Sequence, residues 1–333
     1  DYFKDKRDRI MMMRANWPEI FGYFNAIPWG QVGKAENEGY EFSINWHKDF
    51  NRDWSIDLRS SFTYTKNKFV DKDEPNYTYP WQYKQGLPMD GYRCDGYVAE
   101  GLFKSDEEIA NSPEQLLGST PRPGDIKYRD LNGDGVVNNY DRAAIGNPRT
   151  PEIQFGIPLG LSYKGFDFSM LWQGSALCSV QLSGPAVWDF PLYDQSRIGK
   201  VRKMHLDRWT PETAATAKYP ALHYGIHNNN KQQYSSLFLY DASYIRLKNL
   251  TIDYNFPKEL VNKIGLQALK IYVSGENLLT FSPLKKYAKN YDPEGIYAGD
   301  ADYGTNKFGS DNFGDGDGYP VMKSYTIGLS ITF

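Results

Sequence analysis

The sequence predicts an all-β protein, a transmembrane antiparallel β-barrel wall of about eight strands with long extracellular loops and a short loop helix. Three observations carry this. Apolar and small or polar residues alternate with a period of two in segment after segment. Short and long connections between those segments alternate strictly. No apolar run approaches the roughly 18 residues that a membrane helix needs, yet aromatic residues make up 16 % of the chain, with 26 Tyr, 18 Phe and 8 Trp. Successive strand side chains point to opposite faces, so a strict alternation makes one apolar face and one polar face. In an outer-membrane barrel the apolar face meets lipid and the polar face lines a wet interior.

The first strand lies near Tyr2 to Met13. The second carries Tyr40, Phe42, Ile44 and Trp46 against Glu41, Ser43, Asn45 and His47. After a short polar turn from Lys48 to Asp53, Trp54, Ile56, Leu58, Phe62 and Tyr64 alternate with Ser55, Asp57, Arg59, Ser61, Thr63 and Thr65. Asp57 and Arg59 on one face are hard to bury in a dry core and are ordinary in a water-filled lumen. Phe155, Ile157, Leu159, Leu161 and Tyr163 lead through a Lys164-Gly165 turn into Phe166, Phe168, Met170 and Trp172. Leu250, Ile252, Tyr254 and Phe256 close another strand, Pro257 to Gly265 reads as a helical turn, and Leu269, Ile271 and Val273 open the next. Ile245 and Leu247 fall out of step with Leu250, which places a β-bulge near Asn249. The last strand alternates Val321, Lys323, Tyr325, Ile327, Leu329, Ile331 and Phe333 with Met322, Ser324, Thr326, Gly328, Ser330 and Thr332.

The long connections run from Lys68 to Thr150, from Gly174 to Leu237 and from Ser282 to Pro320. They are rich in Gly, Pro, Asn, Asp and Tyr, and all fall at one end of the wall, as extracellular loops do opposite short periplasmic turns. Within the first, Ser105 followed by Asp106, Glu107 and Glu108 is a capped helix start, so a short helix is expected in the stretch Ser105 to Leu117.

The net charge of -3 and the lack of Lys/Arg-rich runs give no reason to expect a nucleic-acid partner. Mean hydropathy is -0.63, which excludes a helical span and leaves a barrel open, because lumen-facing residues dilute barrel hydropathy. Two cysteines, Cys94 and Cys178, form one disulfide at most, and two thiols in loops is an equal reading. No Gly-x-Ser-x-Gly, phosphate loop or His-Glu-x-x-His occurs, so no enzyme is expected. His223 and His227 have helical metal-ligand spacing but sit in Gly/Asn-rich sequence.

The sharpest local motif is the twelve-residue loop Asp130 to Asp141. Asp130, Asn132 and Asp134 would offer side-chain oxygens, Val136 its carbonyl, Asn138 a direct or water-mediated ligand, and Asp141 the closing carboxylate. Gly135 sits at the sixth position. This is the spacing of a Ca2+ loop, expected here as a structural site. Two departures are plain: the twelfth position is Asp rather than Glu, and Ile126 to Arg129 looks extended rather than helical. The competing reading is a turn cluster held by its own side chains. Asp315 to Gly318 is a poorer match and reads as loop. Tyr77, Tyr79, Trp81 and Tyr83, with Tyr92 and Tyr97 nearby, are candidate substrate-binding rings, since flat aromatic faces suit sugars; packing within the loop is the alternative.

Several segments together resemble the later barrel region of SusC-like TonB-dependent transporters of Bacteroidetes. They are GKAENEGYEF from Gly33 to Phe42, GDIKYRDLNGDGV from Gly124 to Val136, Asp141-Arg142 with Ile145-Gly146-Asn147-Pro148, and YKGFDFS from Tyr163 to Ser169. Arg208-Trp209-Thr210-Pro211-Glu212, SYIRLKNL from Ser243 to Leu250, IYVSGENLLTF from Ile271 to Phe281 and the terminal strand complete the set. The resemblance implies that residues 1–333 are a carboxy-terminal portion of a larger plugged barrel of about 22 strands, with the plug and amino-terminal domains outside them. It implies a multi-pass outer-membrane location in a Gram-negative cell and contact with outer-membrane lipid. It further implies TonB acting through the missing amino-terminal part, a SusD-like surface lipoprotein as a lid, and import of glycan oligosaccharides or peptides. The rival readings are a self-contained eight-stranded barrel and a soluble or surface calcium-dependent carbohydrate-binding protein.

Overall fold

The computed structural model describes residues 1–15, 27–89, 95–182, 187, 189, 201–223, 229–231, 235–287, 291–294 and 321–333. Eight strands form the wall: β1 (Tyr2–Met13), β2 (Trp29–Asp49), β3 (Trp54–Asp71), β4 (Ile153–Tyr163), β5 (Phe166–Ala176), β6 (Tyr244–Asn255), β7 (Ala268–Phe281) and β8 (Ser324–Thr332). They make one antiparallel sheet in which the spatial order is the chain order. Among the described residues β1 and β8 are edges of an open sheet and do not pair with each other, so this wall is not a self-contained small barrel.

The alternation predicted from sequence sets the register. One row across six strands reads Trp54, Tyr163, Phe166, Tyr254, Ile271, Leu329, and the row on the other face reads Asp57, Gly160, Ser169, Thr251, Ser274, Thr326. Much of the first face is open: Phe42, Ile44, Val273 and Ile331 are exposed, Ile327 is 77 % exposed, and Leu58, Leu159 and Met170 on the central strands are half-buried. An apolar face of this extent is a lipid-facing surface rather than a water-facing one, which the soluble reading leaves unexplained. From Trp54 to Tyr64 the outer face of β3 rises about 33 Å at ~3.3 Å per residue; at the ~40° tilt of barrel strands this is about 25 Å of height, the apolar band of an outer-membrane barrel.

Aromatic rings mark both rims of that band. At the short-turn end Trp54 and Tyr163 lie 4.2 Å apart between centroids, Phe166 and Tyr254 4.5 Å, and Tyr254 and Phe256 4.9 Å. At the long-loop end Tyr2, Tyr40 and Tyr64 form a row with spacings of 5.2 and 6.5 Å. Phe333, 81 % exposed, follows β8 at the short-turn rim.

The turns follow local chemistry. Lys164 (φ +46°) and Gly165 (φ +86°) close the β4–β5 hairpin, the two-residue, doubly left-handed turn that matches strand twist. Pro257 to Gly265 is a turn of α-helix, α2 (Lys258–Val261), then a 3-10 turn over Asn262–Ile264, with Gly265 left-handed at its end. The bulge expected near Asn249 is at Lys248. Leu171 pairs with Asn249 and Trp172 with Leu247, and on the other side Asn249 pairs with Glu276 and Leu247 with Leu279. Against β5 Lys248 is the extra residue, so Leu247 and Leu250 share the outer face although only two residues separate them; against β7 the extra residue lies on β7, where Asn277 and Leu278 stand opposite Lys248.

The long loops build the second half of the molecule, and the dry core is there rather than in the wall. Tyr97, Leu117, Ile126, Tyr128, Val137, Cys178, Val180, Leu182, Phe238 and Leu284 form one buried cluster drawn from all three loops. Short paired strands frame it: Ala99–Leu102 with Ile126–Tyr128, Glu114–Gln115 with Val136–Val137, and Ser179–Gln181 with Leu239–Asp241. Burial pushes the Tyr128 phenol up, and Tyr240, packed at the edge of the cluster, is pushed up to about 12. The short loop helix lies at the start of the stretch expected for it. Helix α1 (Asp106–Ala110) starts where Ser105 Oγ accepts from Glu108 N at 3.2 Å. It stops at Asn111, because Pro113 follows and Glu114–Gln115 is drawn into a strand. Cys178 is fully buried in this core, while Cys94, Tyr92 and Asp315 to Gly318 lie outside the described residues.

Candidate functional site

The inner face of the wall is the surface a solute would meet. At its loop end Ser61, Thr63, Gln154, Gln173, Ser175 and Glu294 line an open pocket of about 610 Å³. The first five are inward positions of β3, β4 and β5, where the alternation places small and polar side chains. Gly156 and Gly174 interrupt the wall here, and a Cβ at Gly174 would collide with the Phe155 ring and the Tyr244 carbonyl. Hydroxyls and side-chain amides share the lining with Pro151, Leu171 and Tyr244, so the pocket offers donors and acceptors beside apolar contact.

Glu294 reaches the pocket from the third long loop because an ionic cluster holds it. Arg246 is 1 % exposed. Its guanidinium donates to Glu294 at 2.6 Å, to Asp292 at 2.5 Å and to Thr280 Oγ1 at 3.0 Å. Lys248 Nζ adds a contact to Glu294 at 2.7 Å. The bulge makes this arrangement possible: Arg246 and Lys248 face the interior in the phase of the upper strand, and Asn249 and Thr251 face it in the phase of the lower. Lys285 lies close by, and burial followed by the Arg246 charge pulls its ammonium below the usual lysine range. Residues Arg246 and Lys248 were visible in the sequence as charges on a strand, but their partners, 46 residues away, were not.

At the short-turn end a second polar group lines the interior. His47 Nδ1 lies 2.9 Å from Asp57 Oδ1, and His47 Nε2 lies 3.3 Å from Asp49, beside Asn45 and Arg59.

The Asp130–Asp141 loop is tightly self-bonded. Asp130 accepts from Gly133 N (2.7 Å) and Gly135 N (2.8 Å), Asn132 from Asp134 N (3.0 Å), and Asp134 from Val136 N (2.8 Å). Asn138 accepts from Tyr140 N (2.8 Å), and Asp141, fully buried, accepts from Leu131 N and Asn138 N, both at 2.8 Å. Gly133 and Gly135 have φ of +74° and +86°, the left-handed conformations this path requires. The neighbouring ladder uses the carbonyls of Gly135 and Val137, on either side of Val136. Among the described residues no group of three or more His, Cys, Asp or Glu side chains is gathered as for a metal ion. Each carboxylate oxygen of Asp130 and Asp141 accepts one N–H and retains a further lone pair, which is the fit such a loop has for a hard cation.

The aromatic candidates pack on this loop. Tyr79 and Trp81 stack at 4.9 Å with 6° between planes, Tyr140 stands against Tyr79 at 6.0 Å, and Trp81 Nε1 donates to the Tyr140 carbonyl at 2.7 Å. Asn132 Nδ2 donates to the Tyr79 hydroxyl at 3.1 Å. Tyr77 and Tyr83 meet edge to face at 5.2 Å, and Tyr77 is 37 % exposed. Tyr79, Trp81 and the Asp130–Asp141 loop, separate candidates in the sequence, are thus one structural unit. His223 does not gather a metal: its Nε2 lies 2.6 Å from Asp125 Oδ1, an oxygen that also accepts from Asn230 Nδ2 at 2.8 Å. His227 lies outside the described residues.

No protein-family model matches the chain. Over its full length the chain is 31 % identical to TonB-dependent receptor P3 and 29 % identical to TonB-dependent receptor P26, both of Formosa agariphila, and covers 32 % of each. Over 93 % of its length it is 24 % identical to TonB-dependent receptor SusC of Bacteroides thetaiotaomicron, covering 28 % of that protein. The chain therefore spans about a third of the length of the curated relatives it matches. The whole fold superposes on a structure of the RagAB peptide transporter with a TM-score of 0.64 at 20 % identity, covering 33 % of that chain. It does so equally on the "open-open" state of the RagAB peptide importer, with a TM-score of 0.64. These proteins are receptors and transporters, not enzymes, in agreement with a sequence that carries no catalytic motif. In its two-faced wall, its one-sided loops and its sequence the chain is thus similar, along nearly its whole length, to a part of the TonB-dependent receptors, SusC among them.

Proposed function

We propose that this chain supplies wall and extracellular loops to an outer-membrane importer that moves a water-soluble nutrient oligomer, an oligosaccharide or a peptide, through its lumen. The observation that carries the reading is the wall itself: an apolar outer face about 25 Å tall, a hydroxyl- and amide-lined inner face, and all three long connections gathered at one end. The inner face with its loop-end pocket is the passage. The loop layer is the capture surface and the seat of a SusD-like lipoprotein lid, and TonB provides the drive through sequence outside this chain. The names of the relatives support the same assignment. The Asp130–Asp141 loop holds a structural Ca2+ that stiffens the first long loop, and the Tyr77–Tyr83 aromatics, braced on it, present ring faces to the cargo.

Cysteine labelling on intact cells tests the orientation. In a Cys94→Ser background, Thr78→Cys reacts with a membrane-impermeant maleimide, whereas Asn51→Cys reacts only after the outer membrane is opened. Labelling of both positions on intact cells would sink the transmembrane reading. Uptake of fluorescent oligosaccharide and peptide mixtures, with and without the gene, tests import and separates the two cargo classes.

A further inference from the structure

We propose that the outer face of β1–β3, directly above the upper aromatic rim, is a binding site for the phosphorylated headgroup of an outer-leaflet lipid. The inference rests on the outer-membrane reading above. β2 and β3, of 21 and 18 residues, run beyond the neighbouring 11-residue β4. Tyr64 pairs with Ile153, the first residue of β4, so the stretch of β3 past Tyr64 stands above the apolar band. Two successive rows on this face are built alike: Lys4 opposite Glu38 opposite Lys66, then Lys6 opposite Glu36 opposite Lys68. The row below them on the same face is Tyr2, Tyr40, Tyr64.

Each row is a carboxylate between two ammonium groups, so the pair carries four positive and two negative charges. Glu36 is surrounded: Lys4, Lys6 and Lys68 approach it at 3.7, 3.6 and 3.5 Å. Glu38 takes Lys4 at 3.0 Å. Each ammonium has three donors and each carboxylate roughly four acceptor sites, so about four N–H groups are left without a carboxylate partner. Lys6 is 66 % exposed, Lys4 38 % and Lys68 44 % in their side chains. A phosphate monoester has the charge and the oxygen count to complete the pattern. The position selects its source. At ~3.3 Å per residue the two rows lie about 7 and 13 Å along the strand above the tyrosine row, on the face that meets lipid. That is the level of headgroups above an aromatic rim, and two surplus cations on an otherwise apolar wall are attracted to an anionic lipid surface.

The test uses the intact protein carrying this chain, inserted in nanodiscs. The lipids are bisphosphorylated lipid A in phosphatidylcholine, or phosphatidylcholine alone, and lipid A retained after detergent extraction is measured by native mass spectrometry. Removing two of the lysines with Lys66→Gln and Lys68→Gln is expected to weaken lipid A retention about 25-fold, at ~5-fold per charge near a membrane surface. Glu36→Gln is expected to strengthen it, a direction that simple loss of a structural ion pair would not produce. Millimolar inorganic phosphate leaves retention in place, because a free ion lacks the acyl chains that hold the headgroup at this level. Equal retention by the wild type and the double variant would overturn the proposal, as would full displacement of lipid A by inorganic phosphate. Heat-modifiable migration of each variant reports insertion separately, so a failure of the membrane reading is distinguished from a failure of this site.

Discussion

Replacing Arg246 with Met removes the charge that anchors the third long loop while keeping an unbranched side chain. Arg246 is nearly sealed from solvent, and its side chain bonds Asp292, Glu294 and Thr280. Breaking a buried ion pair by removing one partner costs about 3–5 kcal/mol, since the other charge stays behind. Glu294 keeps Lys248 at 2.7 Å, but Asp292, whose side chain is 12 % exposed, loses its cation. The lower end, about 3 kcal/mol, is therefore the reasonable expectation, a factor of about 150 in the opening equilibrium of the segment Tyr291–Glu294. Hydrogen exchange of the Glu294 amide reads it directly, because that N–H donates to Asp292 Oδ1 at 2.9 Å and is protected only while the segment is docked. Amides in the middle of β6, such as Thr251, should exchange unchanged. An Arg246→Met protein whose Glu294 amide exchanges within twofold of the wild type would refute the claim that the cluster positions this loop at the pocket.

Three further outcomes are expected. Leu159→Arg, on the outer face between Leu58 and Met170, should destabilise the inserted protein by about 2–4 kcal/mol, whereas Ser169→Arg, facing the lumen, should change it by less than about 1; urea unfolding in detergent followed by gel mobility measures both, and equal costs would mean the faces are assigned wrongly. The Glu108 carboxyl is held below its usual range first by the Lys104 N–H at 2.8 Å and then by Lys127 at 3.2 Å. Its contribution is thus complete above the ordinary glutamate pKa of 4.5 and fades as pH falls through the lowered value. Exchange at residues 105–111 should therefore rise on acidification in the wild type and lose that dependence in Glu108→Gln. Chelation with EGTA should expose the first long loop to proteolysis, with Ca2+ restoring protection in the wild type but not in Asp130→Ala; identical cleavage with and without chelator would leave a self-bonded turn cluster and no cation.

The wall was legible because membrane solvation imposes a local rule. Each outward position meets lipid and each inward one meets water, so Phe155 to Tyr163, Phe166 to Trp172 and Tyr325 to Ile331 declare their faces one residue at a time. Even the Lys248 bulge left a trace, as the phase slip between Leu247 and Leu250. The Lys164-Gly165 turn and the Ser105 cap were legible for the same reason, since each depends on a few adjacent residues.

The loop layer obeys no such rule. Its core joins Ile126, Cys178, Phe238 and Leu284, residues with no shared period, and its polar bonds span long gaps, as Ile126 N does in donating to Asn230 Oδ1 at 2.8 Å. Local pattern therefore found the loop helix from its cap but could not say what the Tyr79–Trp81 rings rest upon. By itself the sequence determined the fold class, the strand faces and the side on which the long loops lie, because alternation and turn chemistry are written in neighbouring residues. Only the tertiary structure decided that Asp292 and Glu294 return to Arg246 and Lys248, that the aromatics brace the Asp130 loop, and that lysine and glutamate from three strands fall into two rows above the tyrosines. Those arrangements depend on register between distant segments, which no single stretch of chain encodes.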